Sequence, residues 1–286
     1  MGVIGADVLF CKSVKNAGLM ACAFSESYSV LVPIQSWQNS SMARQALSPE
    51  KFLQREQAFL QETLRQIRQS GLLSLHMAKV SRACGYATGT LYQHFVSKED
   101  LLLALNTELS STRMDFLKRA IAWQAPSRQR QLALTVADIL FAKQNPEHFQ
   151  LAQYVGSPVV WAAASEKRRN ESIRKWQPMT TLVAGIVDDA VAAGELPASG
   201  RQGFEIILGP WMLAMGAHTL KHADGLMDQL GIQECYYTML RHQQVLLNGL
   251  QWKPLVDSDN DDALKASIEH VITSVFPEII NKVKWG

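Results

Sequence analysis

The stretch "GYATGTLYQHFVSKEDLLLAL", Gly85 to Leu105, decides the reading of this chain. Gly85 supplies a left-handed turn residue at no steric cost. From Thr88 the spacing leaves room only for a short helix ending at His94 or Phe95. Ser97-Lys98-Glu99-Asp100 then starts another, with a capping serine and acids in its first turn. Leu91 and Phe95 lie four apart and can anchor the short helix, which leaves Thr88, Gly89, Thr90, Tyr92, Gln93 and His94 on its outward surface or at its N-terminal end. A helix this short does not hold itself together in water, so its neighbours must.

Those neighbours are legible on both sides. Ser48-Pro49-Glu50 gives an N-cap, a proline at the first helical position and an early acid, and Phe52, Phe59, Leu60, Leu64 and Ile67 recur on one face until Ser70-Gly71. A second helix fits His76 to Cys84, with Met77, Val80 and Cys84 inward. The fourth carries Leu102, Leu105, Leu109 and Phe116 along one side. The result is a rigid N-terminus presenting small and hydrogen-bonding side chains, with Lys98 beside it and a glycine at position 89 that permits close approach. A helix-turn-helix places its recognition helix in a major groove in this way.

Residues 75 to 105, "LHMAKVSRACGYATGTLYQHFVSKEDLLLAL", resemble the helix-turn-helix of the TetR family of bacterial transcriptional regulators, with "GTLYQHF" and "SKEDLL" as the most specific part. The resemblance covers about a quarter of the chain once the first helix is included. It implies an all-α protein: a helix-turn-helix domain over residues 48–122, then a helical ligand-binding and dimerisation domain over 127–286. By the same resemblance Tyr92, His94 and Lys98 fall where phosphates are contacted, and Thr88, Gly89, Thr90 and Gln93 where bases are read or closely approached. Two positions depart from the pattern. His76 stands where a capping Ser or Thr is usual, and Ala87 where a Ser is usual, so Thr88 is expected to cap the recognition helix and divert part of its hydroxyl from a base. Taken singly, Tyr92 reads equally well as a packing residue and His94 as an ordinary surface histidine; the joint spacing with Gly85, Gly89, Leu91, Phe95 and Ser97 carries the DNA reading. Lys79 and Arg82 read as a solvated face.

Composition narrows the alternatives. The 286 residues are 47% hydrophobic and 19% charged, enough for one large domain or two smaller ones with real cores. The net charge of +2 is unevenly spread: residues 42–119 hold eleven Lys and Arg against seven Asp and Glu, an excess too modest to argue for nucleic acid alone. Four cysteines without paired spacing (Cys11, Cys22, Cys84, Cys235) and no apolar run of spanning length point to a cytoplasmic protein with no membrane partner. Residues 1–41 lack a helical period and are rich in Gly and Ser. They read as a flexible extension or a misassigned start upstream of Met42; "LMAC" lacks the apolar segment a lipoprotein signal needs.

Beyond Pro126 the chain reads as five to six helices, broken at Asn145-Pro146, Ser157-Pro158, Gln177-Pro178, Gly194 to Pro197, Ser199-Gly200 and Lys253-Pro254. The segments Gly203 to His222 and Tyr236 to Trp252 are partner-seeking in composition. The resemblance makes them a homodimer's four-helix bundle, whereas on physics alone either could be a buried core helix. Trp123, Phe149, Trp161, Trp176 and Trp211 are candidates for an apolar ligand pocket, and such residues suit an ordinary helical core equally well. No cofactor and no metal are expected. His218 and His222 lie four apart without the acid of a zinc motif, and "DSDNDD" (257–262) lacks the glycine and glutamate of a calcium loop, reading instead as a cap for the helix that follows. No nucleophile with its base and no phosphate loop suggests an enzyme. The expected function is a repressor of double-stranded DNA at a palindromic operator, released by a small apolar effector. The alternative is a ligand-independent architectural or activating protein of the same fold.

Overall fold

The computed structural model describes residues 11–13, 19–23, 29–33, 48–223 and 225–280. Cys11–Ser13 (β1), Leu19–Ala23 (β2) and Ser29–Pro33 (β3) pair as an antiparallel sheet in the order β1-β2-β3, with Cys11 opposite Cys22 and Met20 opposite Val32. The extension expected over residues 1–41 therefore falls partly outside the described residues, and elsewhere it forms strands. The β-branched pair around Leu31 favours that state.

From residue 48 onward regular structure is helical. Ser48 accepts a hydrogen bond from the Lys51 amide (3.3 Å) at the start of α1, Pro49–Ser70, which ends at Gly71 with a positive φ of 80°. After a short 3-10 turn come α2, Met77–Ala83, and α3, Thr88–Tyr92. Between them Gly85 takes φ 76°, and the Tyr86 amide donates back to the Ser81 carbonyl (2.9 Å), closing the turn. The fourth helix, α4, runs Lys98–Ala122; its Ser97 cap accepts from the Asp100 amide (3.0 Å), while Asp100 accepts from the Val96 amide (3.2 Å). These helices share one core, made of Phe59, Leu60 and Ile67 from α1, Val80 from α2, and Leu91, Phe95, Leu101 and Leu102. Leu91 and Phe95 are fully enclosed. Each such burial contributes about 1.5–3 kcal/mol, which is what holds a five-residue helix in place.

The rest of the chain adds α5 (Ser127–Gln144), α6 (Pro146–Val155), α7 (Pro158–Ala163), α8 (Glu166–Ala192), α9 (Gly203–Lys221), α10 (Leu226–Gln229), α11 (Cys235–Gly249) and α12 (Asp261–Val275). That exceeds the five to six helices expected, because α6, α7 and α10 are short pieces between turn residues. One expected break is absent: Pro178 lies inside α8. The hydroxyls of Thr180 and Thr181 both donate to the Gln177 carbonyl (2.8 and 3.3 Å) in the turn that follows the proline. The acidic segment behaves as its sequence suggested, with the Asn260 side chain accepting from the Ala263 amide (3.0 Å) at the start of α12. The second core is built from α5, α8, α9, α11 and α12 around Val136, Leu140, Ile186, Leu240 and Trp252. No described helix is long and apolar enough to cross a membrane.

Candidate DNA-reading face and effector cavity

The short helix α3 presents Gly89, Tyr92 and Gln93 to solvent, with Thr88 and Thr90 half-buried. Tyr92 keeps 48% of its surface exposed although large and aromatic, and a Cβ at Gly89 would meet nothing within 4 Å, so the face is open to close approach. Lys98 sits half-buried at the first position of α4, where the helix N-terminus adds to its attraction for an anion. Lys79 and Arg82 are exposed on α2.

Two expectations are corrected here. His94 is not on the outward surface: it lies past the end of α3 and is only 6% exposed. Its ring packs edge-on against Phe59 (5.4 Å between centroids), and Nδ1 is 3.6 Å from the Glu56 carboxylate. The helix ends two residues earlier than expected, and the backbone then turns the His94 side chain inward. Thr88 does not cap α3 either. Ala87 is the cap residue and offers no side-chain bond, while the Thr88 hydroxyl pairs with that of Ser81 at 3.2 Å. The hydroxyl is therefore diverted, but into fastening α3 to α2. His76, at the cap of α2, likewise makes no capping bond.

A cavity of about 610 Å³ lies among α4 to α9, inside the roughly 300–1,000 Å³ range of small-molecule sites. Trp161, Trp176 and Trp211 line it, as do Phe141, Phe204, Met212 and Met215. Trp123 and Phe149 do not. Trp123 packs against His270 of α12 (5.4 Å), and Phe149 is wholly enclosed behind Arg113, against His218 (4.1 Å). Aromatic content alone does not distinguish a wall from the layer behind it.

Sequence reasoning missed the polar centre of this cavity. Arg113 of α4 donates two hydrogen bonds to Asp138 of α5 (2.7 and 2.8 Å), with its guanidinium 5.0 Å from the Phe149 ring and 5.5 Å from the Trp176 ring. Behind the carboxylate stand His218 Nε2 at 3.3 Å and, bonded to His218 Nδ1 at 2.9 Å, the Tyr236 hydroxyl. Burial opposes ionisation of Asp138, but Arg113 and His218 outweigh it and hold the carboxyl well below its usual range. Burial pushes the Tyr236 phenol up and the His148 imidazole down, so both favour their neutral forms. One signal was available: Gln131, Thr135 and Asp138 form a polar stripe at helical spacing through the otherwise apolar "QLALTVADILFA". His218 thus joins Asp138 to the Tyr236 hydroxyl inside the core.

A third cluster joins the head to the cavity wall. Arg168, in the first turn of α8, meets Glu56 of α1 and Glu171 at 2.9 Å each, and donates to the His94 carbonyl (3.2 Å). It also lies 4.0 Å from Asp100 and stacks on Phe95 (4.9 Å). Asp100 in turn accepts from the Ser165 amide (2.9 Å) and hydroxyl (2.6 Å). One turn further along α8, Ser172 and Ile173 reach the cavity.

Residues 59–105 match the family described as "Bacterial regulatory proteins, tetR family". The match spans the second half of α1, α2, the glycine turn, α3 and the capped start of α4. The helix-turn-helix is that of the TetR family. Solved structures share the wider fold. A protein of unknown function from Rhodococcus sp. RHA1 is 20% identical, over 74% of this chain and all 100% of its own, with a TM-score of 0.52. Thermus thermophilus FadR, a TetR-family transcriptional repressor solved with lauroyl-CoA, is 14% identical over 68% of this chain and 94% of its own, with a TM-score of 0.52. No curated protein matches the chain.

Proposed function

We propose that the protein is a DNA-binding transcriptional repressor of the cytoplasm, acting as a homodimer on a palindromic operator and released by a small apolar effector. The observation that carries the DNA reading is the α3 face: a five-residue helix pinned by Leu91 and Phe95 that leaves Gly89, Tyr92 and Gln93 open beside Lys98. The cavity supports the effector, and lauroyl-CoA in the Thermus relative agrees with a ligand that has a long apolar part. Two exposed stripes, Met212 to Leu220 on α9 and His242 to Gly249 on α11, support the dimer. Two recognition helices would then address half-sites about 34–36 Å apart.

Footprinting on the chromosome followed by binding to the recovered duplex tests this reading. A two-fold site whose binding an apolar effector abolishes is the expected outcome; binding indifferent to every such ligand would favour the architectural alternative. Replacing Trp176, which lines the cavity, by alanine should weaken release more than DNA binding; equal losses would make it a core residue only.

Roles within the face are separable. Lys98→Ala should lower affinity for all duplexes alike and flatten the slope of log K against log salt by about 0.9 per lost phosphate contact. Gln93→Ala should lose roughly 1–3 kcal/mol per half-site on the operator alone, if its amide reads an adenine edge. Salt titrations of both variants on operator and scrambled duplex check the division. An unchanged slope for Lys98→Ala would remove it from the phosphate contacts.

A further inference from the structure

The cavity is long. Along α5 it runs from Gln131 to Phe141, and along α8 from Ser172 to Val183, about 15 and 16.5 Å at 1.5 Å per helical residue. Its wall is overwhelmingly apolar. Among the described residues only three ionisable side chains line it: Arg113, Asp138 and His148. Arg113 and Asp138 already neutralise one another through two hydrogen bonds, and burial favours the uncharged form of His148. An anionic or cationic group drawn into this space would lose its hydration and find no free counter-charge.

Two cavity-lining residues carry a buried polar atom with no hydrogen-bond partner among the described residues, His148 at Nδ1 and Gln131 at Oε1. Gln131, in the second turn of α5, is 1% exposed, lines the cavity, and its Oε1 has no hydrogen-bond partner. Buried side-chain amides are almost always hydrogen-bonded. A purely apolar occupant would leave that oxygen unpaired. Gln131 lies near the turn joining α4 to α5, at the opposite end of the cavity from Trp161 and Leu103.

Resting on the reading that this cavity holds the effector, we infer that it selects an uncharged, elongated molecule with an alkyl body and a hydrogen-bond donor, a hydroxyl or an amide N–H, seated on Gln131 Oε1. The amide oxygen accepts and so pairs with a neutral donor, whereas a charged headgroup finds no counter-charge in the wall and is refused.

Calorimetric titration of the full chain, without DNA, with 1-decanol, decanoate and decyltrimethylammonium near neutral pH tests this. The alcohol should bind at least tenfold more tightly than either ion, and Gln131→Leu, with its folding checked by thermal unfolding, should weaken 1-decanol at least tenfold. Either ion binding as well as the alcohol would overturn the inference. So would an undiminished affinity in Gln131→Leu, or failure of all three probes to bind. Should Gln131→Leu not fold, the order of the three probes on the unaltered protein still decides. Because binding is read without DNA, an alcohol that binds in the expected order yet leaves an operator complex intact would count against the effector reading and not against the ligand class.

Discussion

Arg168→Ala is expected to lower the stability of the folded protein by about 3–5 kcal/mol, the usual effect of removing one partner from a buried ion pair. The loss arises less from the attraction removed than from what remains. Glu56 and Asp100 are both largely enclosed, and Glu56 would lose its guanidinium partner while keeping the His94 imidazole beside it. Asp100 would stay satisfied by Ser165 and Val96, so the damage should centre on the contact between α1 and α8. Arg168→Lys should restore little, because an ammonium group cannot reach two carboxylates and a carbonyl while stacking on Phe95. Denaturant unfolding measures the effect. Lys118→Ala, which removes an exposed pair with Asp115, is the control and should change stability by less than about 1 kcal/mol. If both variants lose equally little, Arg168 is not the joint between head and body. If Arg168→Ala folds but its DNA affinity no longer responds to effector, the joint also carries the signal, since α8 touches the cavity one turn later.

The second large effect is expected at Asp138. Asp138→Asn places an amide NH2 or a neutral oxygen against Arg113 and leaves a buried guanidinium without its counter-charge, at a cost of about 3 kcal/mol. The pH dependence follows from the direction of the shift. A carboxyl held below its ordinary value of 3.8 contributes stability that is fully present above that value and is lost as acid takes the pH below it. The unaltered protein should therefore lose stability steeply on acidification below about pH 4, and the variant less steeply. The same substitution frees one positive charge in the cavity wall. Decanoate, refused by the unaltered protein, should then gain at least tenfold in affinity. A variant with unchanged stability, or one still indifferent to decanoate, would show that Arg113 is not governed by Asp138.

The head was legible because its signals are local. Ser48-Pro49, Gly85, Ser97 and the four-residue spacing of Leu91 and Phe95 each act through backbone geometry within one or two turns, and each appears in the structure where the sequence put it. His94 failed for a reason of the same scale: α3 stops at Tyr92, and a difference of two residues turned an outward side chain into a packed one. The cavity was legible only as a preference. Tryptophans favour walls and cores alike, so only their neighbours could separate Trp161 and Trp176 from Trp123 and Phe149.

What the sequence by itself determined was the helical class, the helix-turn-helix and its cap and turn residues, since these depend on interactions between residues a few positions apart. What only the tertiary structure decided was every charged pair that matters inside. Arg113 meets Asp138 across 25 positions, and Arg168 reaches the His94 carbonyl across 74. Nothing in the local pattern around an arginine names its distant carboxylate. That choice follows from how α4, α5 and α8 pack, and burial then gives each pair its weight by removing the water that would otherwise screen it.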